Sequence, residues 1–255
     1  MTCHSRPRLA LPAALLVALA LSSSSMAGAA SAQRVAILAY HHIGAAPRDA
    51  ARPELWVRPA QFRRQLAALD RAGYAAVTLD RVWRAWHGGP GLPAHPVVLS
   101  FDDGYASQAK VAAPALRAHG WPAVLNLQVR RIGARGGLAK RAVRALLRAG
   151  WELDAHSITH PDLTRVSNAR LDREVAGSRR ALQRTFGAPV DFFAYPYGRQ
   201  SARVRAAVRR AGFLGATTTR PRFAGAGTDP FALGRVLVPA GRSPRALLQL
   251  LRAGG

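Results

Sequence analysis

Short apolar runs alternate with amphipathic stretches along residues 33–255. VAILAY (35–40), YAAVTL (74–79), PVVLSF (96–101), PAVLNLQV (122–129), WELDA (151–155), DFFAY (191–195), FLGATTT (213–219) and RVLVP (235–239) read as strands. Between them, 59–73, 79–88, 105–120, 138–150, 168–187 and 201–212 carry apolar residues at helical spacing. Pro59 stands where a first helical turn tolerates it, and several of these stretches end in glycine, as a helix stop prefers. Continuous apolar strands alternating with helices predict an α/β fold with a parallel sheet under helices. Seven or eight such units predict a distorted (β/α) barrel with about seven parallel strands rather than an open sheet. No internal repeat or low-complexity linker interrupts residues 33–255, which read as one domain.

The first 32 residues have a different pattern. Two arginines in MTCHSRPR precede the apolar run LALPAALLVALAL, and SSSSMAGAASA ends in Ala-Ser-Ala. That layout predicts a signal peptide over 1–32, cleaved near Ala32, and a secreted or periplasmic mature chain. The run is shorter than the ~20 residues a bilayer span needs, so no stable membrane span is expected after cleavage. Cys3 is the one cysteine and falls in this leader. Any catalytic metal in residues 33–255 must therefore rely on His, Asp and Glu. The formal net charge is +24, and removing Arg6 and Arg8 leaves +22. The basic residues are almost all arginine and are scattered through the helical stretches, so charge alone predicts no nucleic-acid partner.

Three short stretches carry candidate chemistry. In PVVLSFDDGY an apolar strand runs into Asp102 and Asp103, at the strand end where parallel α/β folds place their function. Neighbouring carboxylates repel unless they share a cation or a proton; one of them, though not both, could serve as a helix cap. In WELDAHSITHPDL, His156 and His160 are four apart, which puts both imidazoles on one side if the segment turns helically. Two histidines and one carboxylate make a three-ligand set with open positions, leaving the second carboxylate free as a base. Asp154 could orient a ligand imidazole, or simply accept a hydrogen bond at the strand end. YHHIG (40–44) sets His41 and His42 at the end of the first strand, where alternation sends them to opposite sides.

SFDDGY, HSITHPDL and FAYPYGR, in that order, resemble the first three motifs of the polysaccharide deacetylases, the family of NodB-like carbohydrate esterases. The resemblance extends to YHHIG, the PAQFRRQLAALDRAGYAAVTLD stretch and DPFALGRVLVP. It implies that Asp103, His156 and His160 hold one divalent metal ion, with zinc favoured over cobalt, nickel or iron, and that Asp102 is the catalytic base. It places an oxyanion donor at the backbone amide of Tyr197, after Pro196; Tyr105 and Tyr197 are further candidates for contact with a sugar ring.

The sequence also departs from the family pattern. Many members carry an arginine paired with the base where this chain has Ala194, which leaves Asp102 unpartnered unless another arginine substitutes. The fourth motif with its tryptophan is missing, and no histidine follows His160 to act as the acid for the leaving amine. The branch with Tyr-His near the N-terminus and Tyr-Pro-Tyr-Gly in the third motif resembles the enzymes that deacetylate poly-β-1,6-N-acetylglucosamine. In that branch the proposed acid maps onto His41, while His42 is assigned a structural place. The expected function is removal of N-acetyl groups from N-acetylglucosamine units of a polysaccharide, of an exopolysaccharide or biofilm matrix, with an export apparatus as a candidate partner. The alternatives are a peptidoglycan or chitin-oligosaccharide deacetylase, or a catalytically weak carbohydrate-binding relative.

Overall fold

The computed structural model describes residues 1–2 and 33–254. Apart from its first two positions, the leader expected over 1–32 lies outside the described residues. The strands are β1 (Ala36–Tyr40), β2 (His42–Ile43), β3 (Trp56–Val57), β4 (Tyr74–Ala76), β5 (His95–Asp103), β6 (Val124–Leu127), β7 (Glu152–Ala155), β8 (Phe192–Ala194), β9 (Gly215–Thr217) and β10 (Val236–Leu237). The helices are α1 (Pro59–Arg71), α2 (Leu79–Trp86), α3 (Ala113–Arg117), α4 (Lys140–Arg148), α5 (Asn168–Phe186), α6 (Ala202–Arg210) and α7 (Pro244–Gly254). All eight strands read from the apolar runs are present. The small parallel pair β2–β3 and helix α7 were not anticipated.

The main sheet runs β10-β1-β5-β6-β7-β8-β9, with β4 beside the start of β5, and every pairing is parallel. It curls into the distorted barrel that the strand–helix alternation predicts. The two edges are joined by one short segment. Leu233 exchanges backbone hydrogen bonds with Ala216 and Thr218 beside β9, and the next residues pair with Leu38 and Ala39 of β1. Arg235 is carried on this joint.

Alternation along the strands divides the core in two. Leu99, Phe101, Leu125, Leu153 and Phe193 face outward and pack under the helices, with Phe62 and Leu66 of α1 and Leu247 and Leu251 of α7 in the same cluster. Ile37, Val98, Val124 and Phe192 face inward and meet Leu79, Val82 and Trp86 of α2, which fill the barrel at the strands' N-terminal end. The Thr78 hydroxyl starts α2 by accepting the Arg81 amide, the usual way to satisfy an orphan donor. Further along the same inward face the residues turn polar. Ser100 aligns with Val124 and Glu152, and Asp102 aligns with Asn126 and Asp154. The C-terminal end of the barrel is therefore polar and buried. Among the described residues no helix is long and apolar enough to cross a membrane.

Candidate active site

Asp102 and Asp103 end β5 side by side, and consecutive strand residues should point to opposite faces. Both nevertheless reach one cleft, because Asp103 adopts a left-handed φ of 74°. Gly104 continues the turn at φ 88°, a conformation that favours glycine, and a Cβ there would also displace Leu127 Cδ1, 2.2 Å away. Ser157, His160 and Tyr197 are the other described non-glycine residues with positive φ, and all four lie at the end of β5 or in the loops that follow β7 and β8. Backbone strain of order 1–3 kcal/mol per residue is characteristic of sites held in place by their surroundings.

Asp103 Oδ1 lies 3.7 Å from His156 Nε2 and 3.8 Å from His160 Nε2. The two imidazole nitrogens are 3.1 Å apart. These three donors form the single metal-competent group of three among the described residues. His156 Nδ1 donates to the Ala194 carbonyl at 2.7 Å, which leaves Nε2 unprotonated and free to ligate. Burial, followed by the neighbouring His156, pulls the His160 pKa down to about 4, so its ring is neutral where a cation needs it. The donor set thus fits a divalent ion. The expectation that a helical turn brings the histidines together is corrected. His156–His160 is an irregular loop in which Ser157 and His160 are left-handed and Ser157 Oγ accepts the His160 amide at 2.9 Å.

Asp102 is 2% exposed and fully engaged. Arg235 donates to Oδ1 at 2.7 Å and to Oδ2 at 2.8 Å, and Asn126 Nδ2 donates to Oδ1 at 2.7 Å. Burial alone would push this carboxyl up, but Arg235, with His156 and His41 nearby, holds it well below the usual carboxylate range. Arg235 is the substitute for the arginine that Ala194 cannot supply, and sequence reading missed it. Its signal was a charged residue at the head of an otherwise apolar strand, RVLVP.

His41 Nε2 is 3.8 Å from Asp102 Oδ2, across the cleft from the histidine pair. Burial lowers its pKa, while Asp102 and Asp103 act in the opposite direction. Gln108 fixes this placement: its Nε2 donates to the His41 carbonyl at 3.1 Å and to the Asp102 carbonyl at 2.6 Å. Gln108 opens a π-helical stretch, Gln108–Ala112, a distortion frequent at functional sites. His42 turns away and lies between Trp56, at 3.5 Å between ring centroids, and Tyr105, at 3.3 Å.

Two sequence expectations are corrected here. Tyr105 cannot stack on a sugar, because His42 covers one ring face and the Arg131 guanidinium, 4.2 Å from the centroid, covers the other. Only its edge remains, because its hydroxyl hydrogen-bonds Asp103. Of the two readings of Asp154, the strand-end hydrogen bond is the one present: its Oδ1 accepts the Phe192 amide at 3.1 Å, and it orients no ligand imidazole. It lines a separate cavity of about 340 Å³, where burial and Glu152 push its carboxyl well up. Pro196 is buried beneath Tyr197, which is 52% exposed and packs edge-on to His160 at 4.6 Å. The Tyr197 amide makes no hydrogen bond among the described residues. The cleft encloses about 620 Å³. It brings together a carboxylate held as an anion, a three-donor cation site, a buried imidazole and an unpartnered amide, the components of metal-assisted hydrolysis.

A family model described as polysaccharide deacetylase matches residues 90–216. YxkH of Bacillus subtilis (strain 168) is 27% identical over 150 residues, 59% of this chain and 54% of that protein. The poly-beta-1,6-N-acetyl-D-glucosamine N-deacetylase of Escherichia coli (strain K12) is 44% identical over 68 residues, 27% of this chain and 10% of that protein. The chain thus spans about half the length of the first relative and a small part of the second. Among solved structures, the Streptococcus pyogenes deacetylase PplD in complex with acetate superposes with a TM-score of 0.81 at 26% identity, covering 86% of this chain and 99% of that one.

Proposed function

We propose, because this chain belongs to the polysaccharide deacetylase family, that it is a metal-dependent hydrolase removing N-acetyl groups from N-acetylglucosamine units of a polymer. Poly-β-1,6-N-acetylglucosamine, the polymer named for the Escherichia coli relative, is the proposed substrate, and an exopolysaccharide export apparatus a proposed partner. The leader-like pattern of residues 1–32 supports action outside the cytoplasm. The observation that carries the reading is the convergence of Asp103, His156 and His160 beside Asp102.

Asp103, His156 and His160 would hold the divalent ion, and two nitrogens with one carboxylate suit zinc. When bound, such an ion polarises an acetamide carbonyl and acidifies a nearby water, which offsets the weak basicity of a carboxylate as firmly held as Asp102. Asp102 takes the proton of the water that attacks the carbonyl carbon. Arg235 and Asn126 keep both its oxygens aimed and charged. The Tyr197 amide is free to donate to the oxyanion of the tetrahedral intermediate. The carbon–nitrogen bond then breaks, the leaving nitrogen takes a proton from His41, and acetate and a glucosamine unit result. Burial lowers the His41 pKa, and the neighbouring Asp102 and Asp103 work against that shift to favour the protonated ring the transfer needs.

The test is acetate release from poly-β-1,6-N-acetylglucosamine, chitin oligosaccharides and peptidoglycan, each with and without chelator. Release from the first, abolished by chelator and restored by Zn²⁺, supports the reading; chelator-insensitive release, or none from any polymer, refutes it.

A further inference from the structure

Four arginines line the cleft: Arg52, Arg131, Arg199 and Arg235. Three have a carboxylate partner. Arg52 pairs with Glu54, Arg199 with Asp162 at 2.7 Å, and Arg235 with Asp102. Among the described residues no ion pair or hydrogen bond engages the guanidinium of Arg131, and its buried Nε has no partner.

Arg131 is nonetheless held firmly. Its guanidinium caps a continuous stack that runs Trp56, His42, Tyr105, Arg131, with Trp56 and His42 only 8° from parallel. A guanidinium over an aromatic face is attracted by the ring quadrupole and keeps its outer edge for a ligand. The backbone beneath it is equally fixed. The Arg131 amide donates to Gln128 O at 3.1 Å, and the Arg131 carbonyl accepts the Ala134 amide at 3.1 Å. The following loop closes so tightly that a Cβ on Gly137 would lie 2.0 Å from that carbonyl. A cation fixed in place without an anion is preorganised to bind one.

The charge of the whole chain points the same way. A formal net charge of +24, or +22 without the leader, does nothing for a neutral polymer and repels the glucosammonium units that deacetylation creates, whereas it attracts an anionic polymer to the protein surface as a whole. We propose that Arg131 is the specificity-determining residue of the cleft, pairing with an oxyanion substituent, carboxylate or phosphate, on a sugar of the polysaccharide. This rests on the deacetylase reading and adds to it: N-acetylglucosamine polymers bearing acidic groups bind the cleft more tightly than the neutral polymer.

The experiment compares full-length wild type, Arg131→Gln and Arg131→Lys on three polymers: neutral poly-β-1,6-N-acetylglucosamine, the carboxylate-bearing hyaluronan, and poly(N-acetylglucosamine 1-phosphate). Steady-state acetate release is paired with calorimetric binding of short oligomers of each. Arg131→Gln should raise KM and Kd for one or both anionic polymers by about tenfold while kcat is preserved, since a charge-assisted hydrogen bond is lost. The neutral polymer should change by less than about twofold. Arg131→Lys, which keeps the charge but loses the planar fork, should retain part of the preference. The polymer that carries the effect identifies the source of the oxyanion. Acetate release with the same Arg131 dependence on all three polymers, or with none, overturns the inference and leaves the deacetylase reading intact. Arg131-dependent binding of anionic oligomers without turnover of any polymer upholds the inference while the deacetylase reading fails. Equal binding of all oligomers by wild type and Arg131→Gln overturns it whatever the turnover.

Discussion

Arg235 holds both carboxylate oxygens of Asp102, at 2.7 and 2.8 Å, from 133 residues away in the chain. Neither side chain is more than 2% exposed. Removing one partner of such a pair leaves a buried charge uncompensated, which typically costs 3–5 kcal/mol. Arg235→Gln should therefore lower the urea-unfolding free energy by about that amount. It should also cut kcat by about 10²-fold or more, because Asp102 loses its aim and its guaranteed charge. Arg235→Lys should recover part of both. Equal stability in wild type and Arg235→Gln would show that the pair is not coupled to the fold.

His41 and His42 are neighbours with different tasks. His41→Ala should keep the full ion content by metal analysis and lose about 10²–10⁴-fold in kcat, the usual worth of general acid–base help. His42→Phe should keep the stack between Trp56 and Tyr105 and leave kcat almost unchanged. If His42→Phe proves the damaging change, the assignment of His41 as the acid is wrong.

Gln108 ties the His41 and Asp102 backbones together through one amide. Gln108→Leu fills the same volume but cannot donate, so His41 should drift from the cleft. The expected result is a fall in kcat of about tenfold or more with KM and ion content preserved, the signature of misplacement. Loss of the ion would instead mean that Gln108 supports the ligand set.

Acid acts on two opposing groups of partly buried residues in the metal-free protein. The pKa values of His42 and His160 are lowered to about 4, primarily by burial. Between their unfolded value and about 4 the unfolded chain binds protons that the folded chain refuses, so acidification through this window is destabilising. Glu152, raised to about 7 chiefly by burial, has the opposite sign: the folded state holds its proton between about 4.5 and 7, so acidification is stabilising. Thermal unfolding at pH 7, 6, 5 and 4.5 should show a shallower acid loss in His42→Phe and a steeper one in Glu152→Gln than in wild type. Parallel curves for all three would contradict the assignment.

The parts legible in the sequence were those encoded locally. Apolar runs gave all eight strands of the barrel, and adjacent Asp102 and Asp103 with spaced His156 and His160 pointed to the candidate site, since side chains at strand ends converge in a parallel barrel. The parts that were not legible depend on contacts between distant segments. Nothing in SFDDGY announces that Asp103 turns left-handed, nor in HSITH that the loop is not helical. Arg235 looked like one more arginine in an arginine-rich chain until β10 was seen beside β1. The same holds for Tyr105, whose ring faces are taken by residues from two other segments.

The central claim is that three side chains grip one ion in service of deacetylation. The most direct measurement is divalent-metal stoichiometry of the purified protein, by elemental analysis, together with acetate release, for wild type and Asp103→Ala. The account predicts close to one ion per chain in wild type, at most a trace in Asp103→Ala, and acetate release that follows ion content across partial reloading. Full ion content in Asp103→Ala, or acetate release independent of the ion, would contradict it.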